Sequence, residues 1–334
     1  MTRRSPMRRR VTRTTPRVVH ITTTDMSLDW LLGPHLRAFA DAGYEVIGMS
    51  AAGEHVDNLS AMGIGHVDVP AFTRSNNPLH DLRAFGQLLR LLRSLRPDIV
   101  HTHNPKPGIL GRIAARITRT PLIVNTQHGL WAQPTDRWQR RLPVYAVERI
   151  AAAFGDVELV QNPEDVDTLV DTLHIPAGRV RLLGNGVDLA RFDPESVEAG
   201  TRRRLRSEWG IADGEVVGAV VGRLVREKGI VELLEAARAL HADGVPARFV
   251  VIGPTDPDKS DAIDASVFER AADDGVVLTG TRDDMPECYA AADLFVTASW
   301  REGFPRSAME AAAMGLPTVA TDIRGNRQVI ADGE

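Results

Sequence analysis

Cysteine and long apolar runs are nearly absent from this sequence. Cys288 is the only cysteine among 334 residues, so the chain cannot form a disulfide within itself. A lone cysteine fits a protein of a reducing compartment. No segment approaches the roughly 18 consecutive apolar residues of a membrane-spanning helix, and the N-terminus lacks the apolar core of a signal peptide. These absences predict a cytoplasmic protein.

Length and charge narrow the class of protein further. At roughly 100–200 residues per domain, the chain is long enough for two domains. Its hydrophobic residues make up 43% and its charged residues 25%, as in ordinary globular proteins. The formal net charge of −4 argues against a general nucleic-acid-binding protein. Residues 1–16 are arginine-rich without an acidic residue, which predicts a disordered basic tail, either solvated or in contact with an anionic membrane surface.

Short apolar runs alternate with helical patterns from Arg17 onward, and the alternation restarts at Glu215. This pattern predicts parallel sheets with helices on both faces. Strands are predicted over residues 18–22, 45–49, 99–101, 122–126, 158–161, 181–183, 216–221, 247–252, 276–279, 294–297 and 318–321. The clearest helices are predicted over residues 36–42, 82–95, 230–241 and 306–314.

The restart divides the chain into two tandem α/β domains. The predicted fold class is therefore two Rossmann-like parallel-sheet domains that face each other across a cleft. We expect the first domain over residues 17–190, a linker with a small helix over 191–214, and the second domain over 215–334. The second domain ends soon after its fifth strand, so we expect it to be incomplete by a strand or two.

Unusual polar residues follow the carboxyl ends of the predicted strands. Open α/β sheets bind ligands at that edge, and two such edges facing each other would form a cleft. The polar segments cover residues 22–27, 101–106, 127–129, 223–228, 253–258, 302–305 and 322–326.

The motif GRLVREKG, residues 222–229, stands between an apolar strand and a helix. It places Arg223 and Lys228 around a turn near a helix N-terminus, where fixed charge, backbone N–H groups and the helix dipole favour an anion. We therefore predict a diphosphate site that needs no metal, rather than a solvated basic turn. The motif is neither a P-loop nor a GxGxxG fingerprint.

A second motif, EGFPRSAME, spans residues 302–310. Pro305 suits the start of a helix, so Glu302 lies in the preceding loop and Glu310 in the second turn. Both carboxylates can then face one ligand, and carboxylates accept hydrogen bonds from sugar and ribose hydroxyls. Backbone N–H groups of the same loop would surround a hydroxyl-rich group. The alternative is an acidic loop followed by an exposed helix residue.

Together the two motifs resemble those of the retaining GT-B glycosyltransferases of family 4, whose signature is the E-x7-E spacing. Further matching segments are residues 98–116, 125–130, 185–188 and 280–299. The resemblance is strongest to the branch that builds capsular, O-antigen or exopolysaccharide repeat units on a lipid carrier. It implies an N-terminal acceptor-side domain and a C-terminal domain that binds the nucleotide-sugar.

The resemblance also implies roles for residues of the second domain. Arg223 and Lys228 would neutralise the nucleotide diphosphate, and Glu310 would bind the ribose hydroxyls. Glu302 would hold the donor sugar together with the loop amides, and Arg282 would lie near the base. The loop in question consists of Gly303, Phe304 and Pro305.

In the first domain, the resemblance implies that His128 acts near the donor sugar and the reacting bond. We therefore count His128 with Arg223, Lys228 and Glu302 as catalytic candidates. Asn104 and Lys106 are candidates for the acceptor side. The loop over residues 22–27 departs from the family pattern, because it lacks the Gly-Gly pair that many members have after the first strand.

The implied activity is a retaining, metal-independent transfer of a sugar from a nucleotide diphosphate, a UDP-sugar, to a lipid-linked glycan. No cofactor is expected, and the partners would be the donor, a glycan or polyprenyl-linked acceptor and a peripheral membrane surface. Two alternatives remain open. One is a GT-B sugar-nucleotide 2-epimerase, and the other is a non-catalytic nucleotide-sugar-binding fragment.

Three histidines offer another interpretation, in which His101, His103 and His128 bind a metal ion. No nearby carboxylate or cysteine completes that set, so we expect no metal. The acidic pairs Asp165-x-Asp167 and Asp256-x-Asp258 mimic a metal-binding DxD motif, but we predict that both lie at the surface.

A basic aromatic stretch spans residues 131–141. We interpret it as a surface helix, with contact to a bilayer as the alternative. Its characteristic residues are Trp131, Arg137, Trp138, Arg140 and Arg141.

Overall fold

The computed structural model describes residues 14–73, 77–103, 105–257, 259 and 261–333. The chain folds into two compact units that divide between Leu183 and Gly184. Most of the predicted basic tail, residues 1–13, lies outside the described residues. Among the described helices, none combines the length and the apolar character that crossing a membrane requires.

The first unit is built on a seven-stranded sheet whose neighbouring strands are all parallel. Its strands are β1 (Arg17–Thr24), β2 (Glu45–Ala51), β3 (Gly65–Asp68), β4 (Ile99–His103), β5 (Leu122–Gln127), β6 (Val157–Val160) and β7 (Val180–Leu182). The spatial order is β3-β2-β1-β4-β5-β6-β7. The chain therefore reverses its direction across the sheet between β1 and β4, where open α/β sheets form a ligand crevice.

Helices cover both faces of this sheet because its strands bury side chains on both sides. On β1, Val18 packs with the cluster of α1, whereas Val19 and Ile21 pack with that of α3 and α4. Asn77 begins α3 as its N-cap, since its side chain accepts from the next backbone N–H groups. The helices are α1 (Gly33–Asp41), α2 (Val56–Ala61), α3 (Pro78–Leu95), α4 (Pro105–Ile117), α5 (Trp138–Ala152) and α6 (Pro163–Asp167).

The second unit repeats this architecture with a five-stranded parallel sheet in the order β10-β9-β8-β11-β12. Its strands are β8 (Val216–Val221), β9 (Ala247–Ile252), β10 (Val276–Gly280), β11 (Leu294–Thr297) and β12 (Thr318–Ala320). Its helices are α7 (Thr201–Glu208), α8 (Ile230–Ala242), α9 (Met285–Ala291) and α10 (Arg306–Ala313). The chain reverses its direction across this sheet between β8 and β11.

The prediction of two Rossmann-like parallel-sheet units is confirmed, and every predicted strand is present. The predicted boundary differs, because the segment expected to be a linker belongs to the second unit. Phe192, Leu205 and Trp209 are buried in that unit's core against Tyr289 and Phe295. The polar residues that suggested a linker lie between these apolar anchors.

Two details of the first sheet were not predicted. The short strand β3 has the sequence GHVD and no fully buried residue, so it gives no apolar signal. The fourth strand continues to His103, two residues beyond its predicted end. His101 and His103 are therefore strand residues, held in register with Val124 and Thr126 of β5.

Candidate active site

The basic motif of the second unit wraps around the carboxyl end of β8. Residues Arg226–Lys228 form a 3-10 turn, and Gly229 follows in the left-handed conformation with φ of +68°. A Cβ atom at Gly229 would lie 2.1 Å from the carbonyl oxygen of Ala298, just beyond the end of β11. A glycine is therefore required for the basic turn to approach β11.

This approach brings the two motifs into contact. The Lys228 ammonium lies 2.6 Å from Oε1 of Glu302, and both side chains are largely buried. The hydroxyl of Ser299 donates to the same carboxylate oxygen at 2.8 Å. The structure thus places a cation from the first motif and a carboxylate from the second at the reversal point of the sheet.

Arg223 lies in the same motif, just after β8, and its Nη1 is 2.6 Å from Oδ2 of Asp256. The Asp256 side chain is only 9% exposed, so the prediction that this residue lies at the surface was wrong. A buried carboxylate requires a partner, and the arginine supplies it. The prediction was also wrong for Asp165, which is buried and accepts from the backbone N–H of Leu130. Asp167 is exposed, as predicted, and Asp258 lies outside the described residues.

Glu310 lies in the second turn of α10, as the spacing predicted. The Tyr289 hydroxyl donates to its Oε2 at 3.1 Å, and Arg306 lies 4.0 Å from its other oxygen. Burial raises the pKa of Glu310, although Arg306 and Tyr289 oppose this shift. The carboxylate is therefore held in a fixed orientation and can accept hydrogen bonds from a bound hydroxyl group.

The loop between the two glutamates is fixed by contacts within the second unit. Asn185 donates from its side-chain amide to the carbonyl oxygen of Phe304 at 3.2 Å. Pro305 is the N-cap residue of α10, so the helix begins at Arg306. A Cβ atom at Gly325 would lie 2.6 Å from the backbone carbonyl oxygen of Glu302, which shows how closely the following loop packs.

The guanidinium of Arg282 is bound by two carboxylates. It lies 2.6 Å from Glu208 and 2.6 Å from Asp284. The hydrogen bond to Asp284 raises the pKa of Arg282, and Glu208 adds to the effect. This side chain therefore joins the loop after β10 to α7.

In the first unit, His128 follows β5 and is hydrogen-bonded to a second histidine. The distance between its Nε2 and Nδ1 of His103 is 3.1 Å. A further 3.1 Å separates Nε2 of His103 from Nδ1 of His20. The sequence analysis missed His20, although its alignment with His101 across β1 and β4 follows from the parallel register.

Burial sets the charge of these histidines. It lowers the pKa of His20 to about 3 and that of His128 to about 4, and His35 strengthens both effects. The pKa values of His101 and His103 are also well below the ordinary range because of burial, to which repulsion from neighbouring histidines adds. The cluster is therefore neutral at physiological pH.

Among the described residues, the three histidines that lie close enough to hold one metal ion are not the three considered in the sequence analysis, because His20 takes the place of His128. One ligand atom from each of His20, His101 and His103 lies within 4.8 Å of the other two. Both nitrogens of His103 already form hydrogen bonds, and Nε2 of His101 contacts the Thr126 hydroxyl at 2.7 Å. That no metal is needed stays a prediction.

The two candidates for the acceptor side are Asn104 and Lys106. Asn104 lies outside the described residues. Lys106 lies in the first turn of α4, and its ammonium is 2.9 Å from Asp81 of α3. The lysine therefore joins two helices of the first unit.

Two Rossmann-like sheets, each with polar side chains at its reversal point, define a protein of the GT-B class. The model of Glycosyltransferase Family 4 matches residues 35–191, and the model of Glycosyl transferases group 1 matches residues 215–334. The chain belongs to glycosyltransferase family 4 and is a glycosyltransferase.

Relatives and solved structures agree with this assignment. The chain is 30% identical over 268 residues to the Escherichia coli UDP-Gal:alpha-D-GlcNAc-diphosphoundecaprenol alpha-1,3-galactosyltransferase, covering 78% of this chain and 67% of that protein. It is also 30% identical to the glycosyltransferase EpsD of Bacillus subtilis, covering 96% of this chain and 82% of EpsD. The crystal structure of Anabaena HepE in complex with UDP and glucose has the same fold, with a TM-score of 0.75 and 19% identity over 95% of this chain and 83% of HepE.

Proposed function

We propose that this protein transfers a sugar from a UDP-sugar to a hydroxyl group of a lipid-linked glycan, with retention at the anomeric carbon and without a metal ion. The observation that carries the proposal is the Lys228–Glu302 pair, which joins the two motifs. Support for the substrate class comes from the Escherichia coli relative, whose name specifies UDP-Gal and a diphosphoundecaprenol-linked acceptor.

In this proposal, the diphosphate binds against Arg223 and Lys228. Both cations are paired with carboxylates, at 2.6 Å in each case. A diphosphate brings more negative charge than either single carboxylate, so it competes for both cations. Glu302 is then released toward the hydroxyl groups of the donor sugar, while Glu310 binds the ribose.

The chemical step breaks the bond between the anomeric carbon and the phosphate oxygen, and the electron pair stays on the departing oxygen. The acceptor hydroxyl attacks on the same face and gives its proton to that phosphate oxygen. Lys228 and Arg223 stabilise the charge that grows on the leaving group, which is the task a metal ion performs in other enzymes.

We assign His128 to the same step because it lies directly after β5, at the carboxyl edge of the first sheet. A neutral imidazole can hydrogen-bond a sugar hydroxyl or a phosphate oxygen without adding charge. The lowered pKa of His128, about 4, keeps it neutral at the pH of the cell.

Assays with purified protein test the proposal. The protein is incubated with UDP-glucose, UDP-galactose and their N-acetylated forms, a polyprenyl-diphosphate-linked N-acetylhexosamine, and an excess of chelator. We expect one donor to give an α-linked product at a rate that chelator does not change. Activity that requires an added divalent ion, or a β-linked product, would refute the corresponding part of the proposal.

The same assays separate the two rival functions. An epimerised nucleotide-sugar formed without acceptor would identify a 2-epimerase. Binding of UDP in calorimetry without transfer from any donor would identify a non-catalytic binding protein.

A lipid-linked acceptor requires access to a membrane. We propose that α5 provides this access by lying on the inner face of that membrane. Trp138 and Leu142 are one helical turn apart and are 63% and 55% exposed. Arg137 and Arg140 beside them are exposed, and Ile150 near the other end of the helix is 60% exposed. Exposed apolar and basic side chains on one helix are typical of contact with an anionic bilayer.

Co-sedimentation with phosphatidylglycerol vesicles tests this surface. The double substitution Trp138→Ser and Leu142→Ser is expected to weaken binding at least tenfold, whereas neutral phosphatidylcholine vesicles should bind poorly throughout. Leu79→Ser is the control, because Leu79 is equally exposed on α3. Equal binding of the double variant and the wild type would exclude α5 as the contact.

A further inference from the structure

The loop after β12, residues 321–326, packs directly against Glu302, the first residue of the second motif. A Cβ atom at Gly325 would lie 2.6 Å from the Cβ atom of Glu302 and 2.6 Å from its carbonyl oxygen. The backbone of Gly325 is helical, with φ of −68° and ψ of −43°, which any residue can adopt. The close approach to Glu302, and not the backbone conformation, therefore requires a glycine at this position.

Hydrogen bonds form a second connection between this loop and Glu302. Nδ2 of Asn326 donates to the Thr321 carbonyl oxygen at 2.9 Å and to the Thr321 hydroxyl oxygen at 3.2 Å. The Thr321 hydroxyl in turn donates to the carbonyl oxygen of Ser299 at 2.7 Å. The Ser299 hydroxyl donates to Oε1 of Glu302 at 2.8 Å. Three residues therefore connect the loop after β12 to the carboxylate.

The acceptors in this network fix the direction of every hydrogen bond. A backbone carbonyl oxygen can only accept, so Asn326 must present its amide N–H to Thr321, and the Thr321 hydroxyl must donate to Ser299. The ionised carboxylate of Glu302 also only accepts, so the hydrogen of the Ser299 hydroxyl points at Oε1. Asn326 and Ser299 are 2% and 3% exposed, so water competes little for these hydrogen bonds. Each polar group thus has one favoured orientation.

The donors to Glu302 reach only one side of its carboxylate. Among the described residues, both donors contact Oε1, Lys228 at 2.6 Å and Ser299 at 2.8 Å. Oε2 is therefore the oxygen that a hydroxyl group of the donor sugar can approach. In the proposed function the diphosphate takes over Lys228, and Ser299 then remains to hold Oε1. The carboxylate keeps its orientation only as long as Ser299 keeps its own.

We propose that Ser299 is a positioning residue that orients Glu302, so that Oε2 receives a hydroxyl group of the donor sugar. Thr321 and Asn326 fix Ser299, and Gly325 keeps the Glu302 backbone from moving toward the loop. The inference rests on the proposed role of Glu302 in holding the donor sugar. It implies that the loop after β12 contributes to the recognition of the sugar without touching it.

The alternative is that the same contacts only stabilise the second unit. A purely structural role changes the free energy of unfolding and leaves the affinity of the folded protein for the sugar part of the donor unchanged. A positioning role weakens the recognition of the sugar and leaves the affinity for UDP unchanged. This difference arises because UDP binds through Arg223, Lys228 and Glu310 in the proposed function.

Calorimetry of the full-length chain separates these two roles. Titrations with UDP, UDP-glucose, UDP-galactose and their N-acetylated forms identify the sugar nucleotide that the wild type binds most tightly. The ratio of the Kd for UDP to the Kd for that sugar nucleotide measures the contribution of the sugar. We expect Ser299→Ala to lower this ratio by about fivefold or more, since a hydrogen bond to a charged group is lost. The Kd for UDP should change by less than about twofold.

Thr321 supplies a second variant with a rescue and a matched control. Thr321→Val keeps the shape of the side chain but removes the hydroxyl that holds Ser299, so the ratio should fall by about threefold. Thr321→Ser restores the hydroxyl and should return the ratio to that of the wild type. Thr318→Val is the control, because Thr318 begins the same strand, is also half-buried and donates to the Leu316 carbonyl at 3.5 Å. It should leave the ratio unchanged.

Each remaining outcome decides between the roles. A wild-type ratio in Ser299→Ala overturns the inference, even where the variant is less resistant to urea. An equal loss of affinity for UDP and for the sugar nucleotide would show a general distortion of the site and would overturn it too. A wild type that binds none of these nucleotides refutes the proposed function, and the inference with it. Sugar transfer by the wild type together with an unchanged ratio in Ser299→Ala refutes the inference alone.

Discussion

Lys228 and Glu302 form an ion pair of 2.6 Å although 74 residues separate them in the sequence. The pair joins the turn after β8 to the loop after β11, the two strands between which the second sheet reverses. In the proposed function, the donor diphosphate would exchange with the Glu302 carboxylate as the partner of Lys228.

Replacing Lys228 should impair the chemical step more than the fold. We expect Lys228→Gln to lower kcat by about 10²–10³, because an interaction with the developing charge on the leaving group is lost. Steady-state kinetics with donor and acceptor in chelator measure the effect. Arg238→Gln removes a more exposed ion pair of the same unit and should leave kcat unchanged. Equal activity of the two variants would contradict a role for Lys228 in transfer.

Donor binding should weaken at mildly acidic pH through Glu310. Burial raises the pKa of this carboxyl group above its ordinary value, so it is protonated at a higher pH than a solvated glutamate. The charged form is the hydrogen-bond acceptor, and its affinity for the ribose is therefore lost as pH falls through the raised pKa. Calorimetric titration of uridine, which carries no titrating phosphate, isolates this effect between pH 7 and pH 4.

Two substitutions separate the contribution of Glu310. Tyr289→Phe removes a donor to the charged carboxylate, so the loss of uridine affinity should move to higher pH. Glu310→Gln should bind uridine weakly with little pH dependence. A wild-type pH profile in Glu310→Gln would assign the dependence to another group.

A methyl group at Gly229 should destabilise the second unit strongly. The new Cβ would lie 2.1 Å from the Ala298 carbonyl oxygen, and the backbone is at a φ of +68°. Gly244→Ala is a matched control, since its φ is +71° and nothing lies within 4 Å. We expect about 1 kcal/mol of destabilisation for Gly244→Ala and several times that for Gly229→Ala. Urea denaturation gives both values, and similar losses would contradict the close approach.

The neutral histidines should make the first unit sensitive to acid. The folded-state pKa values of His20 and His128, about 3 and about 4, lie below the unfolded value of about 6.5. The unfolded chain then binds more protons, so this stability is fully present above the unfolded pKa and is lost as pH falls toward the folded values. Each such histidine contributes a slope of about 1.4 kcal/mol per pH unit within that window.

Urea denaturation at several pH values from 7 to 5 measures this slope. His20→Phe removes one titrating group and should lower the slope by about one proton, whatever its effect on stability at pH 7. His174→Gln, at an exposed histidine, should leave the slope close to that of the wild type. An unchanged slope in His20→Phe would show that His20 is not buried in the neutral form.

Much of the fold follows from local sequence signals. The strands β8, β9 and β11 have the predicted limits, because each is a compact apolar run bounded by polar or turn residues. The helix α10 begins directly after Pro305, as the motif indicated. The segment over residues 191–214 was assigned to a linker because its few apolar residues are widely spaced, and only the packed core shows that they anchor it.

The sequence by itself determined the two α/β units, the family and the residue types that the chemistry requires, because periodicity and motif spacing are local properties. The tertiary structure decided which of these residues meet. It paired Lys228 with Glu302, turned Asp256 inward to Arg223, and added His20 to the histidines of β4. A parallel sheet brings together residues far apart in the chain, and their contacts depend on strand order and register, which no local pattern specifies.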